Sequence, residues 1–145
     1  MEHTFLLRAG LWRARGEFVD AVGHLTGVEG TAEVRHYPDR WIYEGVLRTL
    51  NPTPQETRTV YEIHPLAPGT FATHWFSNSP TLGTLRGRFL VVGDTILSAY
   101  ESATGRYRGQ DTLLRRSERR YSARGALFDG AKLLSAWAVE LLRTG

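Results

Sequence analysis

The sequence contains no cysteine, and this absence excludes several kinds of chemistry at once. Disulfide bonds, thiolate zinc sites and cysteine nucleophiles all need the thiol group that is missing. Any catalytic or ligand-binding chemistry must therefore use carboxylate, imidazole, hydroxyl or indole groups.

Long apolar runs are also missing. No run approaches the roughly 18 residues that a transmembrane helix needs, so the sequence predicts no membrane span. Residues 1–5 lack the basic and then apolar regions of a secretory signal, and we therefore expect a cytoplasmic protein. The hydrophobic fraction of 41% and the length of 145 residues suit one globular core, so residues 1–145 are predicted to form a single domain.

Lysine is nearly absent, because all but one of the 18 basic residues are arginine. This bias is typical of a genome rich in G and C and favours a bacterial source. A cluster of arginines in the last third of the chain suggests nucleic-acid binding as one interpretation. The cluster alternates with tyrosine, glycine or leucine, however, as the wet face of a sheet does, so we favour a solvated face and expect no nucleic-acid partner. The cluster comprises Arg106, Arg108, Arg115, Arg116, Arg119, Arg120 and Arg124.

Apolar and polar residues alternate with a period of two in short segments separated by turn residues, which is the pattern of β-strands. Gly93-Asp94 and Asp129-Gly130 are typical hairpin turns. The glycine-rich residues 23–30 are predicted to lead into the second strand. The predicted strands are 12–18, 31–37, 40–50, 56–63, 70–76, 82–92, 95–102, 106–114, 120–127 and 132–143.

About ten strands with short loops and no crossover helix predict an all-β fold, either a sandwich or a barrel. Glycines inside the strands favour a single closed antiparallel up-and-down barrel, because sharply coiled strands need residues without side chains. The last segment, 132–143, also fits an amphipathic helix. Its alternation and the turn before it favour a final strand that pairs with the first and closes the barrel. The glycines are Gly16, Gly45, Gly87, Gly109 and Gly125.

Both ends of the chain carry a short motif. Gly10-Leu11-Trp12 resembles the Gly-x-Trp motif of the calycin superfamily, the lipocalin and fatty-acid-binding-protein type of barrel. Arg143 is similar in position to the basic residue that packs over that tryptophan. Without a signal, disulfides or a clear C-terminal helix, the chain resembles bacterial calycin-like domains of unassigned function more than secreted lipocalins. The resemblance implies a structural cation–π contact between Trp12 and Arg143 that closes one end of the barrel.

The predicted inner face carries aromatic rings and hydroxyl groups, which suit a small hydrophobic or aromatic ligand. Ser98, Tyr100 and Ser102 alternate on one strand and can supply hydroxyls to the interior. The alternative is a filled core, since side chains can occupy the whole interior of a small barrel. The candidate ligand-binding residues are Tyr107, Tyr121, Trp137, Asp111, His74 and Tyr100.

Asp111 and His74 are the candidate catalytic residues. Asp111 falls on the inner face, where burial raises the pKa of a carboxyl group unless the group is paired, and an ion pair with Arg86 or Arg88 is the alternative role. His74 is adjacent to Trp75 in sequence, so only one of the two can point inward. A core or surface histidine is the favoured interpretation. No spacing of metal ligands is present, so no metal or cofactor is predicted, and haem bound by His74 or His36 is the least favoured alternative.

Three functions fit these features. The leading hypothesis is a carrier or sensor that binds a small hydrophobic molecule inside the barrel. The second is an enzyme that isomerises, cyclises or decarboxylates an apolar substrate by acid–base chemistry. The third is an interaction module with a filled core. No catalytic triad, phosphate-binding loop or nucleophile elbow supports a hydrolase or a nucleotide-binding protein.

Overall fold

The chain forms ten β-strands, as seen in a computed structural model that describes residues 2–145. No helix long and apolar enough to cross a membrane occurs in that range. Residue 1, which belongs to the segment considered as a secretory signal, lies outside the described residues. The strands are β1 (Gly10–Asp20), β2 (Leu25–His36), β3 (Trp41–Thr49), β4 (Glu56–Ile63), β5 (Ala72–Ser79), β6 (Gly83–Val92), β7 (Thr95–Ser102), β8 (Tyr107–Ser117), β9 (Arg120–Asp129) and β10 (Lys132–Arg143).

Each strand pairs antiparallel with its neighbours in sequence, and β10 pairs with β1 to close the barrel. The closing register sets Trp12 opposite Arg143 and Phe18 opposite Trp137. The last segment is therefore the strand that its alternation predicts, and not a helix. The all-β fold and the single closed up-and-down barrel are confirmed.

The second strand begins earlier than predicted. β2 starts at Leu25, so most of the glycine-rich segment 23–30 belongs to the strand and the prediction of a lead-in loop is wrong. The reason lies in the neighbouring strand. The carbonyl oxygen of Val46 on β3 occupies the space in which a side chain at Gly30 would stand. Glycine here allows two strongly coiled strands to approach each other.

Glycines on the inner face make room for aromatic rings that lie flat against the barrel wall. A Cβ atom at Gly125 would stand 2.5 Å from the indole nitrogen of Trp137, so any side chain there would push the ring into the interior. Glycine and ring together therefore set the width of the interior. The ring–glycine pairs are Tyr43 with Gly45, Trp75 with Gly87, Tyr100 with Gly109 and Trp137 with Gly125.

Residues 3–6 fold across one end of the barrel and are buried there. The Tyr121 hydroxyl accepts a hydrogen bond from the Thr4 amide at 3.1 Å and lies 2.7 Å from His3 Nδ1. His3 Nε2 donates to the Gly93 carbonyl oxygen at 2.8 Å, so in the neutral ring Nδ1 accepts from the Tyr121 hydroxyl. The buried segment 3–6 therefore closes this end of the barrel. The Tyr121 hydroxyl has hydrogen-bond partners in that segment.

The two ends of the sequence meet beside this closed end. The guanidinium carbon of Arg143 lies 6.0 Å from the centre of the Trp12 ring, and the same guanidinium donates to the Ala9 carbonyl at 3.2 Å. Trp12 is fully buried. This is the contact that the calycin resemblance implies, and its contribution is about 1 kcal/mol.

Several of the clustered arginines form ion pairs on the outer surface. Arg106 pairs with Asp129 at 2.9 Å, while Arg120 and Arg124 pair with Glu140 at 3.4 and 3.1 Å. Exposed pairs of this kind each stabilise a protein by about 0–1 kcal/mol. The arrangement is that of a solvated sheet face with interspersed acids.

Replacing the central hydroxyl of the closed end tests its role. Tyr121→Phe should lower the free energy of unfolding by about 1–3 kcal/mol, because the Thr4 amide and the His3 ring then lose a buried partner. Urea denaturation followed by tryptophan fluorescence measures the change. Tyr37→Phe on the exposed surface is the matched control, and equal effects of the two variants would contradict the assignment.

Candidate functional site

The barrel interior contains a cavity of about 300 Å³. Its lining runs from the buried Phe5 and Leu6 at the closed end to the exposed Gln55 and Thr57 at the opposite end. Sites for small molecules begin at about this volume. The interior is therefore not filled by side chains, and the alternative of a packed core does not describe this barrel.

The wall of the cavity has a gap in its backbone pairing between β4 and β5. Only two residue pairs, Glu62 with Phe76 and Ile63 with Trp75, join these strands, and both lie toward the closed end. Tyr61 and Trp75 stack across the junction, with ring centres 3.9 Å apart and planes within 12°. Beyond this stack the first half of β4 is paired with β3 alone, so backbone pairing between β4 and β5 is missing toward the open end of the cavity.

Aromatic rings supply most of the flat surface inside the cavity. Tyr43 and Tyr61 adjoin each other with ring centres 5.2 Å apart, and Phe18 lies 5.8 Å from Trp137 across the closing strand pair. Tyr100 completes the wall on β7. Rings held in this way offer π-faces and hydroxyl groups to a bound molecule.

Asp111 on β8 lies in the cavity wall. Trp137 Nε1 donates a hydrogen bond to Asp111 Oδ1 at 2.6 Å. Arg86 and Arg88 are exposed on the outer face, so the predicted alternative of an internal ion pair is wrong. Alternation explains this, because Leu85, Gly87 and Phe89 take the inward positions of β6.

The environment changes the protonation of the cavity groups. Burial raises the pKa of Asp111 to about 6, and the hydrogen bond from Trp137 opposes part of the rise. Burial also raises the pKa of Tyr43 to about 12, and the charge on Asp111 adds to the effect. The pKa values of Tyr61 and Tyr100 rise for the same two reasons. Above the pKa of Asp111 the cavity therefore holds an ionised carboxylate among neutral hydroxyls.

Ser98 is a second polar group in this wall. Its Oγ atom is buried and has no hydrogen-bond partner among residues 2–145, although the residue faces the cavity. It stands directly opposite Asp111 in the β7–β8 register. An unpartnered buried hydroxyl costs about 1–3 kcal/mol.

The structure brings together Asp111, Trp137 and Tyr100 from the residues predicted to bind a ligand. Tyr121 is buried in the closed end instead, where its hydroxyl binds the N-terminal segment. Tyr107 lies half-buried under the Arg106 guanidinium, 4.9 Å from the ring centre. Tyr121 is buried and Tyr107 is half-buried, but neither residue lines the cavity.

His74 is placed on the outer face of β5 and is exposed. The prediction that it contacts a ligand in the barrel or acts there as a base is not met, because Trp75 takes the inward position. His36 stacks on Trp41 with ring centres 4.1 Å apart, and its Nε2 donates to the Leu6 carbonyl at 2.8 Å. Among the described residues no group of three or more acidic or histidine side chains could hold a metal ion.

Tyr43 and Tyr61 are among the cavity residues that the sequence did not identify as candidates. The sequence signal that points to them is their period-two alternation with Gly45 and Ile63. It is weak in these strands because apolar residues such as Ile42 and Val60 also occupy the outer face.

Together, the fold and the site define a closed ten-stranded antiparallel β-barrel with an aromatic internal cavity. Compared with known proteins, the chain matches no family model and no curated protein. Among solved structures it is similar to the S-type phycobiliprotein lyase CPES from Guillardia theta, with a TM-score of 0.67, 10% identity, and 96% of this chain and 89% of that one covered. It also matches a de novo designed fluorescence-activating β-barrel, with a TM-score of 0.49, 19% identity, and 99% and 100% coverage. The first match shows a shared fold.

Neutralising the buried carboxylate should stabilise the protein in a pH-dependent way. The pKa of Asp111 is raised from 3.8 to about 6 by folding, so the folded state binds a proton more tightly than the unfolded chain does. The stability of the native protein therefore falls as the pH rises from about 4 to above 6, by about 3 kcal/mol. Asp111→Asn should remove this fall.

Urea denaturation at several pH values measures the difference between the native protein and Asp111→Asn. The variant should gain relative stability between about pH 4 and 6 and keep the gain at higher pH. Asp39→Asn, which alters an exposed carboxylate, is the control. A difference that does not change with pH would show that Asp111 is not buried as an isolated charge.

Proposed function

We propose that this protein binds a small aromatic molecule inside its barrel, as a carrier or sensor, and that it belongs with the bacterial calycin-like domains. The observation that carries the proposal is the cavity of about 300 Å³, which is lined by aromatic rings and contains polar groups at fixed positions. Such a combination of apolar walls and few convergent polar groups is typical of small-molecule sites.

The size of the cavity limits the range of ligands that fit. Its volume lies at the lower limit for small-molecule sites, which favours a compact molecule of two or three rings over a long acyl chain. Flat rings can lie between Tyr43, Tyr61 and Trp137, where offset or edge contacts with aromatic side chains add about 0.5–1.5 kcal/mol each. The open end beside Gln55 and the β4–β5 gap gives such a molecule a route into the barrel.

Binding can be measured with N-phenyl-1-naphthylamine, a neutral probe whose fluorescence rises in apolar surroundings. The native protein should bind it saturably. Leu127→Trp narrows the cavity and should weaken binding at least about tenfold, which corresponds to about 1.4 kcal/mol. Leu97→Trp makes the same change on the exposed outer face of β7 and should leave binding unchanged.

The two leucine variants must both keep the far-ultraviolet circular dichroism of the native barrel. Absence of saturable binding by the folded native protein would refute internal binding of small aromatic molecules. Equal weakening by Leu127→Trp and Leu97→Trp would place the probe outside the barrel.

Asp111 supports a second candidate function, acid–base catalysis on a bound substrate. A carboxylate with a pKa of about 6 in an apolar cavity is a stronger base than an exposed aspartate, and it can exchange protons near neutral pH. Tyr100 adds a hydroxyl to the same wall. A proton transfer by such a group accelerates a reaction by about 10²–10⁴-fold.

The base elimination of 5-nitrobenzisoxazole tests this second function. A carboxylate removes the proton from C3 while the N–O bond breaks, and the product is a coloured nitrile phenolate. The native protein should accelerate the reaction saturably, with a rate that rises with pH and levels off above about 6, and Asp111→Asn should abolish the acceleration. A rate that survives in Asp111→Asn would rule out Asp111 as the base.

A further inference from the structure

We propose that the molecule bound in the barrel is an aromatic cation, such as a protonated aromatic amine, and that its charged nitrogen binds Asp111. This inference rests on the proposed binding function and adds the chemical class of the ligand. It depends on the charges, the unused hydrogen-bonding groups and the ring faces of the cavity.

The cavity wall is acidic and has no basic partner. Asp111 is its only carboxylate within residues 2–145, and no lysine, arginine or histidine of that range lines it. An ionised group buried without a counter-ion destabilises the folded protein unless a bound molecule supplies the opposite charge. A cation in the cavity would do so, whereas an anion such as a fatty-acid carboxylate would be repelled.

Asp111 also has unused hydrogen-bonding capacity. An ionised carboxylate accepts about four hydrogen bonds, and within residues 2–145 only Trp137 donates to this one, at Oδ1. The unpartnered Ser98 hydroxyl stands beside it on β7. An ammonium group has three donors, so it can bind the free acceptor sites of Asp111 through short, charge-assisted hydrogen bonds.

The aromatic rings that line the cavity with Asp111 favour a positive charge as well. Tyr43, Tyr61 and Tyr100 belong to the same cavity lining, and Trp137 meets the carboxylate through its indole N–H. A cation over tyrosine or tryptophan faces gains about 2 kcal/mol or more when it is shielded from water. The carboxylate and the aromatic rings therefore both favour a positively charged ligand.

Three naphthalene compounds of nearly equal size separate charge from shape. They are 2-naphthylmethylamine, 2-naphthylmethanol and 2-naphthoate, which are cationic, neutral and anionic at pH 8. Each competes with N-phenyl-1-naphthylamine for the native protein. The amine should bind at least about tenfold more tightly than the alcohol, and the carboxylate should bind more weakly than both.

Most of the preference should depend on Asp111. In Asp111→Asn the ratio of amine affinity to alcohol affinity should fall several-fold, because the carboxylate is lost and only the aromatic rings still favour a cation; Asp39→Asn is the control for a lost surface charge. In the native protein, amine affinity should fall about tenfold from pH 8 to pH 5 as Asp111 takes up a proton. The titratable groups that face Asp111 are Tyr43, Tyr61 and Tyr100, which stay neutral over this range, and β9 and β10 present Gly125 and Trp137.

The possible outcomes separate this inference from the proposed function. If N-phenyl-1-naphthylamine binds but the amine and the alcohol compete equally, the barrel binds aromatic molecules and the inference of a cation is wrong. The inference is also overturned if the ratio of amine affinity to alcohol affinity is the same in Asp111→Asn as in the native protein, or the same at pH 5 as at pH 8. If no probe binds the folded native protein, the proposed function itself fails.

Discussion

The site depends on the contact between Trp137 and Asp111. The indole donates its one hydrogen to the buried carboxylate, and Gly125 on the strand between them leaves the space that the ring occupies. A side chain at Gly125 would displace both groups into the cavity. Because β10 also pairs with β1, the same tryptophan links the carboxylate to the closure of the barrel, through its contact with Phe18.

The barrel divides stability and binding between its two ends. At the closed end, the buried segment 3–6, Tyr121 and the Trp12–Arg143 contact form a packed and hydrogen-bonded plug. Toward the open end the pairing of β4 with β5 stops, and the cavity is lined by threonines and Gln55. Strong packing at one end offsets the cost of an unfilled interior and an isolated buried charge at the other.

Strand positions were predictable because local signals are strong in this chain. Period-two alternation and the Gly93-Asp94 and Asp129-Gly130 turns located all ten strands, and alternation alone placed Asp111 inward. The errors arose where alternation is ambiguous or a longer-range contact decides. β2 began early because Gly30 meets the Val46 carbonyl of another strand, and alternation by itself left open which of His74 and Trp75 points inward.

The sequence by itself determined the barrel, its antiparallel order and the face on which most side chains lie, because alternation and turn chemistry act over a few residues. The tertiary structure decided that the interior holds a cavity, that Asp111 has an indole for a partner and no arginine, and that His3 closes one end with Tyr121. These features join residues up to 118 positions apart in the chain. Which ring lies over which glycine depends on the register of neighbouring strands, and that register exists only once the barrel has closed.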